Sequence, residues 1–442
     1  MTLGFKNGTV LLPDGALAKR DVAIANGQIV AVGEGVAAGW PGAIEVPEGW
    51  VVLPGVIDPQ VHFREPGLEH KEDLTSAARA CAKGGVTAFL EMPNTRPLTT
   101  TQATLDDKLA RAARSCVVNY GFFIGSTPDL LPDLDTAGPT CGIKAFMGSM
   151  HGPLLMSDPA VLDRLFARGD RLIAVHAEDQ ARIEARRQLY AGCSDPAVHS
   201  LIQDNQAALM ATQLAVGLAQ KYQRRLHILH LSTADEALWL RTHKTPNISC
   251  EVTPQHLLLD ITAYETLGTL AQMNPPLRTP GDRRVLWQAL RDGVIDCIAT
   301  DHAPHTLTEK AQTYPQSPSG MPGVETELPL MLTAAQAGEC TIAQVGRWMS
   351  ENVARLYQIP NKGRIAPGWD ADLVVVNLQA YRPVVRSELL TKCAWSPFEG
   401  WKLTGWPEIT VVNGQIAYRD RQVHPEPLGQ PLRFDPNFWA TV

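Results

Sequence analysis

Apolar, β-branched runs of four to seven residues recur along the chain at 51–57, 86–92, 117–123, 142–146, 172–175, 226–229, 248–252 and 295–299. Between most of them lie stretches with helical periodicity, at 74–83, 105–114, 160–168, 205–222, 234–242 and 283–291. Strand and helix in alternation, with strands apolar on both faces, predict a parallel sheet covered by helices. Eight such units predict a closed (β/α)8 TIM-type barrel rather than an open sheet. The two chain ends have a different rhythm. Short alternating runs at 8–12, 22–24 and 29–32 are separated by glycine turns, and 370–376 with 411–418 repeat that style. The expectation is a small β-sandwich domain built from residues 1–52 and 363–442, bracketing a catalytic barrel at 53–362. The proline-rich 425–436 is expected to lie along the surface or to be loosely ordered.

The bulk numbers narrow the picture. A chain of 442 residues with 45% hydrophobic content exceeds one core and suits a large domain plus a smaller one. A formal charge of −7, with scattered Lys and Arg, marks no nucleic-acid or anionic-membrane surface. No basic stretch followed by an apolar core opens the chain, and no run approaches the roughly 20 apolar residues of a span, so a soluble cytoplasmic protein is expected. Eight cysteines without a C-x-x-C pair are expected to be reduced and mostly buried, not zinc ligands.

In such a barrel the chemistry sits where strands end at the C-terminal face. The first run leads into Asp58-Pro-Gln-Val-His62-Phe-Arg64-Glu-Pro-Gly67, the second into Glu91-Met-Pro-Asn94-Thr, and the fourth holds Lys144. The fifth ends at His176, the sixth at His230, and the eighth at Asp301 in Asp301-His-Ala-Pro-His305. One histidine after a strand is ordinarily a satisfied core or surface group. His62, His176, His230 and Asp301 converging on one face point instead to a divalent ion such as Zn2+, which makes hydroxide available near neutral pH, and so to hydrolysis or its reverse. Lys144 reads either as a snorkelling or paired lysine or, as a carbamate, as an anionic bridge between two ions. Arg64 and Asn94 suit an anion site, with a rim salt bridge as the other reading of Arg64. The loop Met273-Asn274-Pro-Pro-Leu-Arg278 is rigid enough to present Asn274, and 312–323 reads as a flexible flap. His227, an odd step from His230, is expected on the opposite strand face with a structural role. His70, His151, His199, His243 and His424 are expected at the surface; His256 and His302 stay undecided.

These strings, His62-Phe-Arg-Glu-Pro-Gly, Glu-Met-Pro-Asn94-Thr, Gly-Ile-Lys144-Ala-Phe-Met-Gly, Met-Asn274-Pro-Pro-Leu-Arg and Asp301-His-Ala-Pro-His305, resemble bacterial dihydroorotases of the amidohydrolase superfamily over nearly the whole chain. The resemblance implies that His62 and Asp301 bind one zinc, His176 and His230 another, and carboxylated Lys144 bridges them. It implies that Arg64, Asn94, Asn274 and His305 hold the substrate, with backbone contacts from Ser319 and Gly320, and that Asp301 shuttles the proton. The implied reaction is the reversible cyclisation of N-carbamoyl-L-aspartate to dihydroorotate in pyrimidine biosynthesis. The implied assembly is a homodimer or tetramer, with a transcarbamoylase as a candidate partner.

One position departs from the pattern. The family usually has His-x-His after the first strand, and here the first place is Gln60, a poor zinc ligand beside imidazole. Three outcomes stay open: an active two-metal enzyme, an active enzyme with one tight ion, and an inactive relative. Two rival readings follow, an allantoinase or dihydropyrimidinase and a catalytically silent subunit of a transcarbamoylase complex. Arg64, Asn94 and the Met-Asn-Pro-Pro-Leu-Arg string favour a carboxylate-bearing ring over the first rival.

Overall fold

The computed structural model describes residues 2–150 and 152–441, so His151 lies outside the described residues. Eight parallel strands follow one another in the barrel. They are β1 (Val56–Val61), β2 (Val86–Glu91), β3 (Asn119–Phe122, resumed as Ile124–Gly125), β4 (Ile143–Phe146), β5 (Ile173–His176), β6 (Leu226–Ile228), β7 (Ile248–Val252) and β8 (Cys297–Ile298). Each pairs in parallel with the next. The circle closes where Val61 bridges His302 and the His62 N–H donates to the His302 carbonyl at 2.7 Å. Almost every strand residue is buried, because helices cover the outside and side chains fill the inside, so the runs read as continuously apolar.

The helices begin where side chains can satisfy the free N–H groups of a first turn. Asp73, Thr101, Thr233 and Thr279 are N-caps with reciprocal capping boxes, for helices Leu74–Gly84, Gln102–Ser115, Ala234–His243 and Pro280–Arg291. Each expected helix is present within a few residues of its expected bounds. Helix Pro280–Arg291 buries Leu286, Trp287, Ala289 and Leu290 against the barrel, a face on which a Leu-to-Ala change costs roughly 2–5 kcal/mol.

Both chain ends build one nine-stranded sheet with its own core of Phe5, Val22, Ile24, Val52, Val375 and Val411. The seam is strand Trp50–Pro54, parallel to Thr2–Leu11 on one side and antiparallel to Leu373–Asn377 on the other. The apolar run at 51–57 is therefore two strands, not one. It breaks at Gly55, where a Cβ would lie 2.2 Å from Thr87 Oγ1. The proline-rich tail lies against β3: Leu432 is buried and its N–H donates to the Tyr120 carbonyl at 2.8 Å. All eight cysteines are unpaired and seven are buried.

Candidate active site

Loops after the strands meet over the C-terminal end of the barrel around a cavity of about 200 Å3. His62, Arg64, Asn94, Lys144, His176 and His230 line it, and Asn274, Asp301, His305, Ser319 and Gly320 complete the wall. Every site residue expected from sequence thus faces one space, together with Gln60. Arg64, His230 and Asp301 have φ of 67°, 38° and 48°, a left-handed backbone that side chains rarely adopt and that recurs at functional sites.

The ligand-type groups fall into two pairs. His62 Nδ1 donates to Asn94 Oδ1 at 2.7 Å, which turns Nε2 toward Asp301 Oδ1 at 3.1 Å. Burial holds the His62 imidazolium below its ordinary range, which favours the neutral ring, and its Nε2 faces the Asp301 carboxylate oxygen. His176 Nε2 donates to buried Glu178 at 2.8 Å, leaving its Nδ1 2.9 Å from His230 Nε2. His230 Nδ1 and Lys144 Nζ are buried without hydrogen-bond partners among the described residues. Burial brings the Lys144 ammonium down to about 7, which populates the neutral amine. Lone pairs converging this closely, with orphaned polar atoms around them, fit a divalent cation held at about 2.0–2.2 Å from nitrogen and carboxylate ligands.

Gln60 is buried, and its Nε2 donates to Asp301 Oδ1 at 3.0 Å, the same oxygen that His62 approaches, while its Oε1 has no partner. The amide thus acts as a donor to Asp301 where a second imidazole would act as a ligand.

The other half of the cavity is a field of donors. Arg64 makes no ion pair among the described residues, which disposes of the rim salt bridge; its Nε donates to the Pro304 carbonyl at 3.1 Å and its fork lines the cavity. Burial without a carboxylate partner lowers this guanidinium to about 10. Asn94, its oxygen occupied by His62, has no partner for its Nδ2 among the described residues. The 312–323 segment, expected as a flexible flap, is bonded down: the Gly320 N–H donates to the Gln272 carbonyl at 2.9 Å and Lys310 Nζ to the Pro318 carbonyl at 2.9 Å.

Several histidines sit elsewhere than expected. His199 is buried, not at the surface: its Nε2 lies 2.8 Å from Asn274 Oδ1 and 3.3 Å from Ser319 Oγ, so it turns the Asn274 amide. Its three neighbours in sequence carry no periodic cue, and only the fold brings it there. His227 does not point away from the barrel interior: it bonds Ser249 and Glu251, and Glu251 also faces the His230 N–H. The ring is fully buried with both nitrogens partnered, and Cys297 lies close to the same pair. His256 Nε2 donates to the Pro275 carbonyl at 3.1 Å and holds the Asn274 loop, while His302 Nδ1 accepts from the Gly323 N–H at 3.0 Å. His243 and His70 are exposed, the latter beside Glu309, and His424 is half-buried. Sequence reasoning also missed Glu178, two residues past His176, although a partner for the second ring nitrogen is a general need of ligating histidines.

A model of the amidohydrolase family matches residues 51–417. The chain belongs to the amidohydrolase family. This amidohydrolase is similar to the dihydroorotase of Halobacterium salinarum, at 37% identity over 412 residues that span 92% of this chain and 95% of that one. It is also similar to the dihydroorotase of Brevibacillus brevis, at 34% over 434 residues, 94% and 98% of the two chains. Among solved structures, the L-hydantoinase (dihydropyrimidinase) from Arthrobacter aurescens superposes with a TM-score of 0.92 at 28% identity, covering 97% of this chain and 99% of that one. Such barrels with a β-sandwich domain are the architecture described above, and amidohydrolases are typically metal-dependent.

Proposed function

We propose that this amidohydrolase is a dihydroorotase, catalysing the reversible cyclisation of N-carbamoyl-L-aspartate to dihydroorotate in pyrimidine biosynthesis. The observation that carries the reading is the pairing, in one cavity, of a ligand cluster with a buried arginine that has no carboxylate of its own. His62 with Asp301, and His176 with His230, would hold zinc, and Lys144 as a carbamate would lie between them. Bound there, the ion supplies Lewis acidity and a water of lowered pKa. Arg64, Asn94 and His305 bind the ring carboxylate, and Asn274, turned by His199, adds a donor to the ring amide. Asp301 carries the proton between the attacking water and the leaving ring nitrogen, work that in such catalysis contributes about 10²–10⁴-fold. Gln60, by donating to Asp301, fits a centre with one tight ion and a weaker second. The working protein is a homodimer or homotetramer.

A second reading, a hydantoinase or dihydropyrimidinase, is favoured by the superposition with the Arthrobacter aurescens structure. The test is turnover of dihydroorotate, dihydrouracil, hydantoin and allantoin side by side, with zinc measured per chain in the same chelator-free preparation. Dihydroorotate turnover with one or two zincs supports the proposal. Turnover of hydantoin alone moves the chain to the second reading. No metal and no turnover leaves a silent barrel, with a transcarbamoylase as the partner to seek by co-purification.

A further inference from the structure

His305 is buried at the cavity wall, and the way its two ring nitrogens are used decides what it offers to a ligand. Lys71 Nζ lies 3.0 Å from His305 Nδ1 and 3.1 Å from Glu309 Oε1. An ammonium carries donors only, so Nδ1 must be a lone pair accepting from it. The neutral ring then carries its proton on Nε2, which sits 3.0 Å from the Ser319 carbonyl, an acceptor only. Arg64 Nη2, 3.3 Å from the same Nε2, is in that tautomer a donor beside a donor, leaving the guanidinium free for something else. Glu309 is itself fixed: its Oε2 accepts the Thr306 N–H at 2.9 Å as a helix cap, so Oε1 is committed to Lys71 and His70.

We propose that Lys71 is a positioning residue for the anion site: clamped by Glu309, its ammonium locks His305 in the Nε2–H tautomer, whose donor holds the Ser319 carbonyl until a ligand carboxylate claims it. This rests on the reading that an anionic ligand sits at Arg64, Asn94 and His305. Burial first, and then the cations Arg64, Lys71 and Lys310 against Glu309 at 3.9 Å, hold the imidazolium well below its ordinary range. Remove Lys71 and the other tautomer becomes the better one. Nδ1–H would turn to Glu309, and the bare Nε2 would accept from Arg64, repelling the Ser319 carbonyl and diverting the guanidinium from its ligand.

The experiment is nitrogen-15 NMR of histidine-labelled, zinc-loaded full-length protein, with His305→Gln assigning the signal, for wild type, Lys71→Met and Lys71→Arg. We expect the Nε2–H tautomer in wild type and Lys71→Arg, and a change to Nδ1–H or a mixture in Lys71→Met. In parallel, Lys71→Met should raise the KM for dihydroorotate tenfold or more with kcat within about threefold, and Lys71→Arg should recover most of it. A wild-type ring that is Nδ1–H or charged, or an unchanged Nε2–H tautomer in Lys71→Met, would overturn the proposal. The wild-type spectrum needs no variant to fold and no turnover. The expected tautomers without any action on dihydroorotate would support the role of Lys71 while sinking the functional reading.

Discussion

Beside the His62–Arg64 turn lies a buried ion pair whose disruption can be worked through in numbers. Lys108 and Glu91 are both fully buried and bonded to each other. Lys108 also donates to the Met92 carbonyl at 3.2 Å, and Glu91 Oε1 accepts the Phe63 N–H at 3.1 Å, between His62 and Arg64. Burial raises the Glu91 carboxyl and lowers the Lys108 ammonium, so desolvation outweighs their attraction in both. Lys108→Met, close in shape, strands Glu91 without a cation. Breaking one partner of such a pair costs about 3–5 kcal/mol, but Glu91 can escape by taking a proton. Holding a carboxyl of ordinary value 4.5 neutral at pH 7 costs about 1.4 kcal/mol per unit, or roughly 3.4 kcal/mol, which caps the loss. The sign follows from linkage: the stranded carboxyl has a raised folded pKa, so its contribution is intact at low pH and lost as pH rises. At pH 5 the cap falls to about 0.7 kcal/mol. Urea unfolding of wild type, Lys108→Met and Lys108→Met/Glu91→Gln at pH 5 and 7, at one protein concentration, reads this directly. The double variant should regain most of the loss at pH 7, because Gln still accepts the Phe63 N–H. A loss below 1 kcal/mol at pH 7, or an equal loss at both pH values, would refute the reasoning.

Two further outcomes are expected. Asp58 is pushed up to about 7, first by burial, against hydrogen bonds from Thr300 and Gln60 that favour its charged form; its stabilisation is fully present below the ordinary carboxylate range and is lost as pH rises through about 7. That amounts to roughly 4 kcal/mol, so Asp58→Asn should flatten the fall in urea midpoint between pH 5 and 8, and parallel curves for the two proteins would count against it. Gly320 has φ of 142° and its Cβ would lie 2.4 Å from the Ala303 carbonyl, so Gly320→Ala should displace the loop over the cavity. Strain of about 1–3 kcal/mol corresponds to a KM for dihydroorotate raised roughly 5- to 150-fold with the melting temperature little changed, and an unaltered KM would show the loop to be dispensable.

What the sequence disclosed and what it hid divide along a physical line. Ligand-type residues at strand ends were legible because a barrel fixes where strand ends point: once eight runs were counted, His62, Lys144, His176, His230 and Asp301 had one place to go. The run at 51–57 was misjudged because two strands buried on both faces, separated by a single glycine, have the same apolar signature as one. The parity argument at His227 failed for a local reason. Alternation holds only while the backbone stays extended, and His230 lies beyond the end of β6 with φ of 38°.

The residues that orient the site were the illegible ones, and they share a cause. His199 comes from the short helix His199–Ile202, Lys71 from the loop before helix Leu74–Gly84, and Lys108 from the middle of Gln102–Ser115. None stands at a strand end, and each meets its partner across 17 to 234 residues or from a helix face that periodicity would assign to solvent or core without distinction. Lys108 illustrates the point: in its helix it reads as a surface charge, yet it is buried and pairs with Glu91, fixed at the end of β2. The same logic bears on Gln60. Its departure from the family pattern was visible at once, but its consequence depends on where the amide points, and that is toward Asp301 Oδ1, the oxygen that His62 also approaches. A glutamine at this position therefore serves as a hydrogen-bond donor to its neighbour and keeps the Asp301 carboxylate oriented.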